Sequence, residues 1–331
     1  MKRSTMGILA VAAALSAGTA LAQRPDPAAG YPQRPIRVIV GFPPGGATDI
    51  FARILATHLA TSWSQQVIVD NRGGATGTVG AAIAARSNPD GYTLMMVPSG
   101  PYTISASTYE NLPYDAVKDF AGISLLAWVT NVVVAPASSP ASSVQDLVRM
   151  AKEKPGQVTH GSSGSGSLHH LAAEVMKKLT GTKMVHVPFK GAGPMLVALV
   201  GNEITFAFAS APSAMPFIQN KRLKALAVTS QTRLAALPQV PTLIEAGVPV
   251  PAGLEIREWY GMLAPARTPR AIIDKLSAEF VRIFRQPEVQ ARLTDMGAEF
   301  AGSSPAELQQ RLAHDVKTWA PVVKEAGVRA D

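Results

Sequence analysis

Residues 36–50 read IRVIVGFPPGGATDI. The run Ile36-Arg37-Val38-Ile39-Val40 is short and rich in β-branched residues, which predicts a buried strand. Gly41-Phe42-Pro43-Pro44-Gly45-Gly46 breaks it, and a helix is expected from about Thr48. In that helix Phe51, Ile54, Leu55 and Leu59 recur at a spacing that gathers them on one face. A strand running through a glycine-rich turn into an amphipathic helix is an α/β signature, provided the rest of the chain repeats it.

The pattern repeats on the carboxyl side. Gln66 to Val69 is a second strand, Gly73-Gly74-Ala75-Thr76-Gly77 leads into an alanine-rich helix through about Ala85, and Tyr92 to Val97 is a third strand after the turn Asn88-Pro89-Asp90-Gly91. Such alternation indicates a parallel, three-layer α/β arrangement. Ile123 to Pro136 is an unusually long apolar, β-rich stretch, long enough for one strand to pass from a first lobe into a second. Alternation then restarts, with strands at Val158–His160, Met184–Val187, Ile204–Phe208 and Leu223–Val228 and helices from about Leu168 and around Leu196–Val200. Trp259 to Pro265 reads as a returning strand, and helices over about Ala271–Phe284 and Pro305–Lys317 would finish the first lobe. The expected fold class is α/β: two three-layer lobes joined by two crossover strands, with a cleft between them where a small ligand can bind. The expected division is lobe 1 over 31–128, lobe 2 over 129–252, and a return to lobe 1 over 253–331.

The amino-terminal residues carry a different pattern. Lys2 and Arg3 precede an apolar stretch from Met6 to about Leu15, and Ala20-Leu21-Ala22 forms a small-x-small site before Gln23. That order predicts a secretory signal peptide over 1–22 and a periplasmic protein. The apolar stretch falls short of the roughly 20 residues a membrane span needs. Residues 23–30 follow as a Pro/Ala/Gly linker. Absence of cysteine excludes disulfides, thiol catalysis, thiolate metal sites and a lipid-modified cysteine.

The formal charge is +8, of which Lys2 and Arg3 supply two. No Lys/Arg run exceeds two residues and few aromatics interleave with them. Nucleic acid is not an expected partner, because both the basic stripe and the stacking platform are missing. The positive balance suits anionic solutes.

Two segments could carry chemistry. In the first, Gly41 to Asp49, glycines let the backbone approach a ligand, and the helix start offers unpaired N–H groups at the positive end of its dipole. A carboxylate there would gain charge-assisted hydrogen bonds without an arginine. The alternative is a tight strand-to-helix turn with Thr48 or Asp49 as N-cap. No Lys-Ser/Thr pair follows, so it is not a nucleotide P-loop. The second, Gly161-Ser162-Ser163-Gly164-Ser165-Gly166-Ser167-Leu168-His169-His170, also joins a strand to a helix and could form another anion cradle from the second lobe. It lacks the Gly-x-Ser-x-Gly spacing of a hydrolase nucleophile.

Other candidates are weaker. His160, His169, His170 and His186 are close in sequence, but adjacent His169 and His170 point about 100° apart on a helix, and packing or capping roles are expected over a metal site. Lys190 precedes another helix and could pair with an anion or lie in solvent. Trp259 could close over a ligand or sit buried in its strand. No acid, base and nucleophile of recognisable spacing come together, and no dinucleotide fingerprint is present, so neither an enzyme nor a cofactor is expected.

Several segments resemble the extracytoplasmic receptors of tripartite tricarboxylate transporters, the Bug family of periplasmic solute-binding proteins. They are YPQRPIRVIVGFPPGGATDIFAR (31–53), QQVIVDNRGGATGTVGAAIAARSNPDGYTL (65–94), LPYDAVKDFAGIS (112–124), HVPFKGAGP (186–194), LKALAVTSQTRLAALPQVPTLIEAGVP (223–249) and EWYGMLAPARTP (258–269). The resemblance implies a type II periplasmic binding fold that closes on a small carboxylate, held largely through backbone amides and bridging waters. It implies ligand contacts at Phe42, Pro44, Gly45, Gly46, Thr48 and Asp49 in the first lobe, and at Ser162, Ser163, Gly164, Ser165 and Gly166 in the second. Ser99 and Lys190 complete the expected ligand set with Thr205 and Ala209. The last two stand where family members often carry acids, in a Val-Asp-Leu-Met-Phe-Asp-like strand that here reads Ile204-Thr205-Phe206-Ala207-Phe208-Ala209. Their loss removes candidate partners for an ammonium group and points to a carboxylate without one. The implied partners are the cognate integral-membrane transporter subunits, or a signalling protein if the chain serves as a sensor. A monomer is expected.

Overall fold

The computed structural model describes residue 26, residues 28–250 and residues 256–326. The expected signal peptide, half of the linker and the expected lobe boundary at 252–253 lie outside them.

Strand β1 (Ile36–Val40) lies between β2 (Val67–Asn71) and β3 (Thr93–Pro98), parallel to both, with α1 (Ala47–Trp63) and α2 (Thr78–Ala85) as the crossovers. Alternation along the strands divides their side chains between two cores. Ile36, Val38, Val40, Leu94 and Met96 pack with Phe51, Leu55 and Leu59 of α1. Ile39, Met95 and Val97 pack with Ala81 and Ala84 of α2 on the opposite face. Both faces are covered, which is why these strands read as continuous apolar runs. Full burial of each such side chain contributes about 1.5–3 kcal/mol.

After α3 (Ser99–Thr108) the chain enters β4 (Phe120–Pro136), a strand of 17 residues. Up to Thr130 it pairs antiparallel with β9 (Arg257–Pro265). From Asn131 it pairs with β7 (Phe206–Ser210) and β8 (Leu223–Val228). One strand thus belongs to both lobes, and its change of partner falls between Thr130 and Asn131.

Lobe 2 continues with α4 (Val144–Glu153), β5 (Thr159–Ser162), α5 (Leu168–Thr180), β6 (Val185–Pro188), α6 (Ala192–Val200), β7, α7 (Ala211–Gln219) and β8. Strand β5 runs parallel to β6 and β7. Val133, Phe206 and Phe208 face α4 and α5, while Val132, Val134, Ala207 and Ala209 face α6 and α7. Strand β9 then inserts between β3 and β4, and α8 (Arg270–Phe284), α9 (Pro287–Asp295), β10 (Ala298–Phe300) and α10 (Pro305–Ala326) complete lobe 1.

The sheet differs from the parallel expectation because β4 and β9 run antiparallel to their neighbours. A strand that carries the chain out of a lobe, or back into it, has no crossover helix to turn it round. Helices α3, α4, α7 and α9 and strand β10 were not anticipated from the sequence. Helix α3 opens Ser99-Gly100-Pro101 and α7 carries Pro212 and Pro216, residues that ordinarily argue against a helix. Packing overrides that propensity, with α3 lying against α10 and α7 against β4.

Candidate functional site

A cavity lies between the lobes, and five helices begin around it. Gly46 is the N-cap of α1, Pro98 of α3 and Ser210 of α7, Ala192 opens α6, and His169 is the second residue of α5; all five line the cavity. Only α5 has a side-chain cap, Ser167, whose hydroxyl accepts from the His170 amide. The other four starts have none, so the first-turn amides, except at Pro101, Pro194 and Pro212 where there is no N–H, lack a side-chain cap, and the dipoles bring positive potential to one place. No Lys or Arg is among the described residues lining the cavity.

The lobes are drawn together. The cavity measures about 30 Å³, room for one or two water molecules. Thr76 Oγ1 of lobe 1 donates to the Ser165 carbonyl of lobe 2 at 3.2 Å. Backbones also meet directly, since a Cβ placed on Gly193 would lie 2.6 Å from the Pro44 carbonyl oxygen. Gly191, at φ 135°, sits against the Pro43 ring, where a Cβ would lie 3.0 Å from Cδ.

In the first turn Phe42, Gly46 and Thr48 line the cavity. Pro44 and Gly45 are exposed at the rim facing Gly193. Asp49 has another role. Its carboxylate accepts from the Gly45 amide at 3.1 Å and from Asn71 Nδ2 at 3.0 Å, and it pairs with Arg53 at 2.9 Å. Burial alone would raise its pKa, but these bonds outweigh that and hold it below the usual carboxylate range. Asp49 braces the turn, and neither it nor Thr48 is the N-cap, which is Gly46.

In the second loop Ser163 lines the cavity with His169, whose Nδ1 lies 2.9 Å from the Ser163 hydroxyl. His169 Nε2 is buried without a hydrogen-bond partner among the described residues. Burial lowers the pKa of this imidazole to about 4, so it is neutral. The neighbouring loop residues are occupied with one another. Ser162 Oγ donates to the Gly164 carbonyl at 3.0 Å and meets His186 Nε2 at 2.7 Å, and the Gly166 amide donates to His170 Nδ1 at 3.2 Å. His169 and His170 thus point to different places. The rings of His170 and His186 stack with centroids 3.7 Å apart and planes 6° from parallel, so their nitrogens do not converge on one point. No group of described residues is arranged to hold a metal ion.

The remaining expected residues lie elsewhere. Ser99 Oγ accepts from the Trp259 amide at 3.0 Å and anchors β9. Lys190 is exposed on the loop before α6. Thr205 pairs its hydroxyl with that of Thr159 at 3.2 Å, and its amide donates to Thr159 Oγ1 at 2.9 Å. Ala209 packs among Val132, Met195 and Leu196 in the core of lobe 2. Trp259 is wholly buried in lobe 1, with Nε1 donating to Asp315 Oδ2 at 2.7 Å.

Trp259's neighbours were overlooked. Glu258 and Tyr260 project from the other face of β9 and line the cavity, the Tyr260 hydroxyl donating to Glu258 Oε2 at 2.9 Å. Glu258 is 2 % exposed, and burial pushes its pKa up to about 7 despite that bond. A signal was available: with Trp259 directed into the core, strand alternation turns Glu258 and Tyr260 the opposite way.

Two α/β lobes joined through β4, with a cavity between them ringed by helix starts, define a two-lobed solute-binding protein. Residues 51–328 match the family described as tripartite tricarboxylate transporter family receptor, and the chain belongs to that family. It is a family of periplasmic solute-binding receptors, not of enzymes. Protein BugT of Bordetella pertussis (strain Tohama I) is 33 % identical over 300 residues, covering 90 % of this chain and 91 % of its own. Rpa4515 of R. palustris, solved with adipate, superposes with a TM-score of 0.86 at 32 % identity, over 90 % of this chain and 99 % of that one. MatC of Rhodopseudomonas palustris, solved with bound malate, gives 0.82 at 30 % identity, over 88 % and 100 %. No helix among the described residues is long and apolar enough to cross a membrane.

Proposed function

We propose that this chain captures a small carboxylate between its lobes and delivers it to integral-membrane transporter subunits. The observation that supports this most strongly is the convergence of five helix starts, four without side-chain caps, on the cavity between the lobes. Backbone amides at such starts satisfy a carboxylate without a fixed cation. The relatives solved with adipate and malate carry the same kind of ligand. In this reading Phe42, Gly46, Thr48 and Ser163 contact the ligand. Asp49, Ser99, Ser162, Gly164 and Gly166 hold its loops in shape, and the lobes part to admit it. The protein acts as a monomer, reaching the periplasm through cleavage of a signal peptide after Ala22, and mass spectrometry of the exported form should find Gln23 at the amino terminus.

A thermal-shift panel of aliphatic, hydroxy-, keto-, amino- and aromatic carboxylates tests the binding. A ligand at 100 times its Kd stabilises by about 2.7 kcal/mol. Stabilisation by no carboxylate, together with stabilisation by a neutral sugar or a cation, would refute the reading.

A further inference from the structure

On the basis of that carboxylate reading, we infer that Glu258 selects the ligand's second polar group: it meets that group as a neutral acid, donates to a ligand oxygen, and couples capture of a dicarboxylate to a proton. The geometry is specific. Glu258 is fully enclosed, lines the cavity and takes part in no ion pair among the described residues. Its carboxyl is pressed against α3, where a Cβ on Gly100 would fall 2.7 Å from Oε1. Across the same cavity stands His169, with Nε2 unpartnered. An anionic ligand held by the helix starts, admitted as the lobes part, would lie beside Glu258. Two negative charges in one desolvated site cannot both persist, and the group with the higher pKa keeps a proton. The carboxylic acid then becomes a hydrogen-bond donor, which the ligand's second carboxylate can use.

Other titratable groups around the site do not take this role. Tyr260 is pushed by burial far above its ordinary range, and His169 is neutral above about pH 4. Asp49, behind the first turn, is kept ionised by Arg53 and Asn71. Behind the second loop, burial lowers His160 and takes His186 down to about 3. His170, Glu174 and Lys177 belong to that cluster, which touches the loop through Ser162 and Gly166 and is absent from the cavity lining. Arg257, next in sequence, is turned to Glu299 at 2.7 Å. Among the cavity-lining residues, Glu258 is the group with a pKa near neutrality, at about 7.

Isothermal titration of succinate, adipate and glutamate into wild type and Glu258→Gln, at about pH 6 and about pH 8, tests this. A single obligatory proton with a pKa near 7 weakens succinate or adipate binding about tenfold over that interval. In Glu258→Gln, which keeps a donor but cannot ionise, the affinity at about pH 6 and the affinity at about pH 8 should differ by no more than a few-fold, whatever its level relative to wild type. Wild-type enthalpies measured at about pH 8 in two buffers of different ionisation enthalpy should report uptake approaching one proton per ligand, a readout independent of the variant. Tight dicarboxylate binding with no pH dependence and no proton uptake overturns the inference and leaves the carboxylate reading standing. So does a pH dependence that survives in Glu258→Gln. Preference for glutamate, strengthening with pH and lost in the variant, overturns it in favour of an ionised Glu258 paired with an ammonium. Failure of succinate and adipate to bind at either pH, while another carboxylate of the panel stabilises the protein, overturns the inference and leaves the carboxylate reading standing.

Discussion

Replacing Gly193 by alanine sets two effects of opposite sign against each other. Gly193 is a helical residue in α6, where alanine is favoured over glycine by about 0.5–1 kcal/mol. In the closed arrangement, however, the new Cβ would stand 2.6 Å from the Pro44 carbonyl oxygen, well inside the 3.4 Å at which ordinary contact begins. The Cβ is fixed rigidly to the α6 backbone and the oxygen is itself backbone, so the lobes must separate by about 0.8 Å there or the loop must deform. Overpacking of this kind costs about 1–3 kcal/mol, and only the closed form bears it. Ligand affinity should fall about 5- to 150-fold, while the unliganded protein melts no lower than wild type. Calorimetry with adipate or another carboxylate from the panel measures the first, and differential scanning the second. Small-angle scattering should show the wild type compacting at saturating ligand and the variant compacting less. Wild-type affinity and full compaction in Gly193→Ala would refute the claim that these backbones meet in the bound state.

Further expectations follow from individual side chains. Asp49→Asn should cost about 1–3 kcal/mol at pH 7 by breaking the hydrogen bonds of a buried carboxylate. Because the folded pKa is depressed, that contribution is present above the ordinary range and lost as pH falls through the folded value. The gap from wild type in urea melts should therefore narrow below about pH 4. Trp259→Phe removes the indole donor to Asp315; a loss of about 1–3 kcal/mol in chemical stability is expected, with ligand affinity changed less than in Gly193→Ala. Ser163→Ala deletes a cavity hydroxyl and the partner of His169 Nδ1, and should weaken carboxylate binding about 5- to 30-fold, as the loss of roughly 1–2 kcal/mol implies; unchanged affinity would place Ser163 outside the contact.

The local pattern made much of the fold legible. Ile36–Val40, the long run through Val132–Val134 and the return at Trp259 are apolar because they are covered on both faces, and each stands as a strand in the structure. Helices α3 and α7 were hidden because Gly100, Pro101, Pro212 and Pro216 speak against a helix locally, while packing decides the matter globally. At the site, the two glycine-rich turns announced themselves through backbone freedom. Which hydroxyl of Ser162-Ser163-Gly164-Ser165 faces the cavity depends on where His186 arrives from β6 and on where the first turn of α5 places His169. Thr205 and Ala209 drew notice by differing from their relatives, yet the acid in the cavity is Glu258, contributed by another strand.

The place of β9 has a consequence for the order in which the molecule can be assembled. It stands between β3 and β4 in the sheet but is supplied by residues 257–265, late in the chain. A chain emerging amino-terminus first can build β1, β2 and β3 at once. That fragment ends in an open edge, unable to complete its sheet. The strands of lobe 2 come from one contiguous span, Asn131 to Val228, and can close while lobe 1 waits. Until Arg257 arrives, β4 is the one strand shared by the two halves, it lacks its partner β9, and the cavity is without Glu258 and Tyr260.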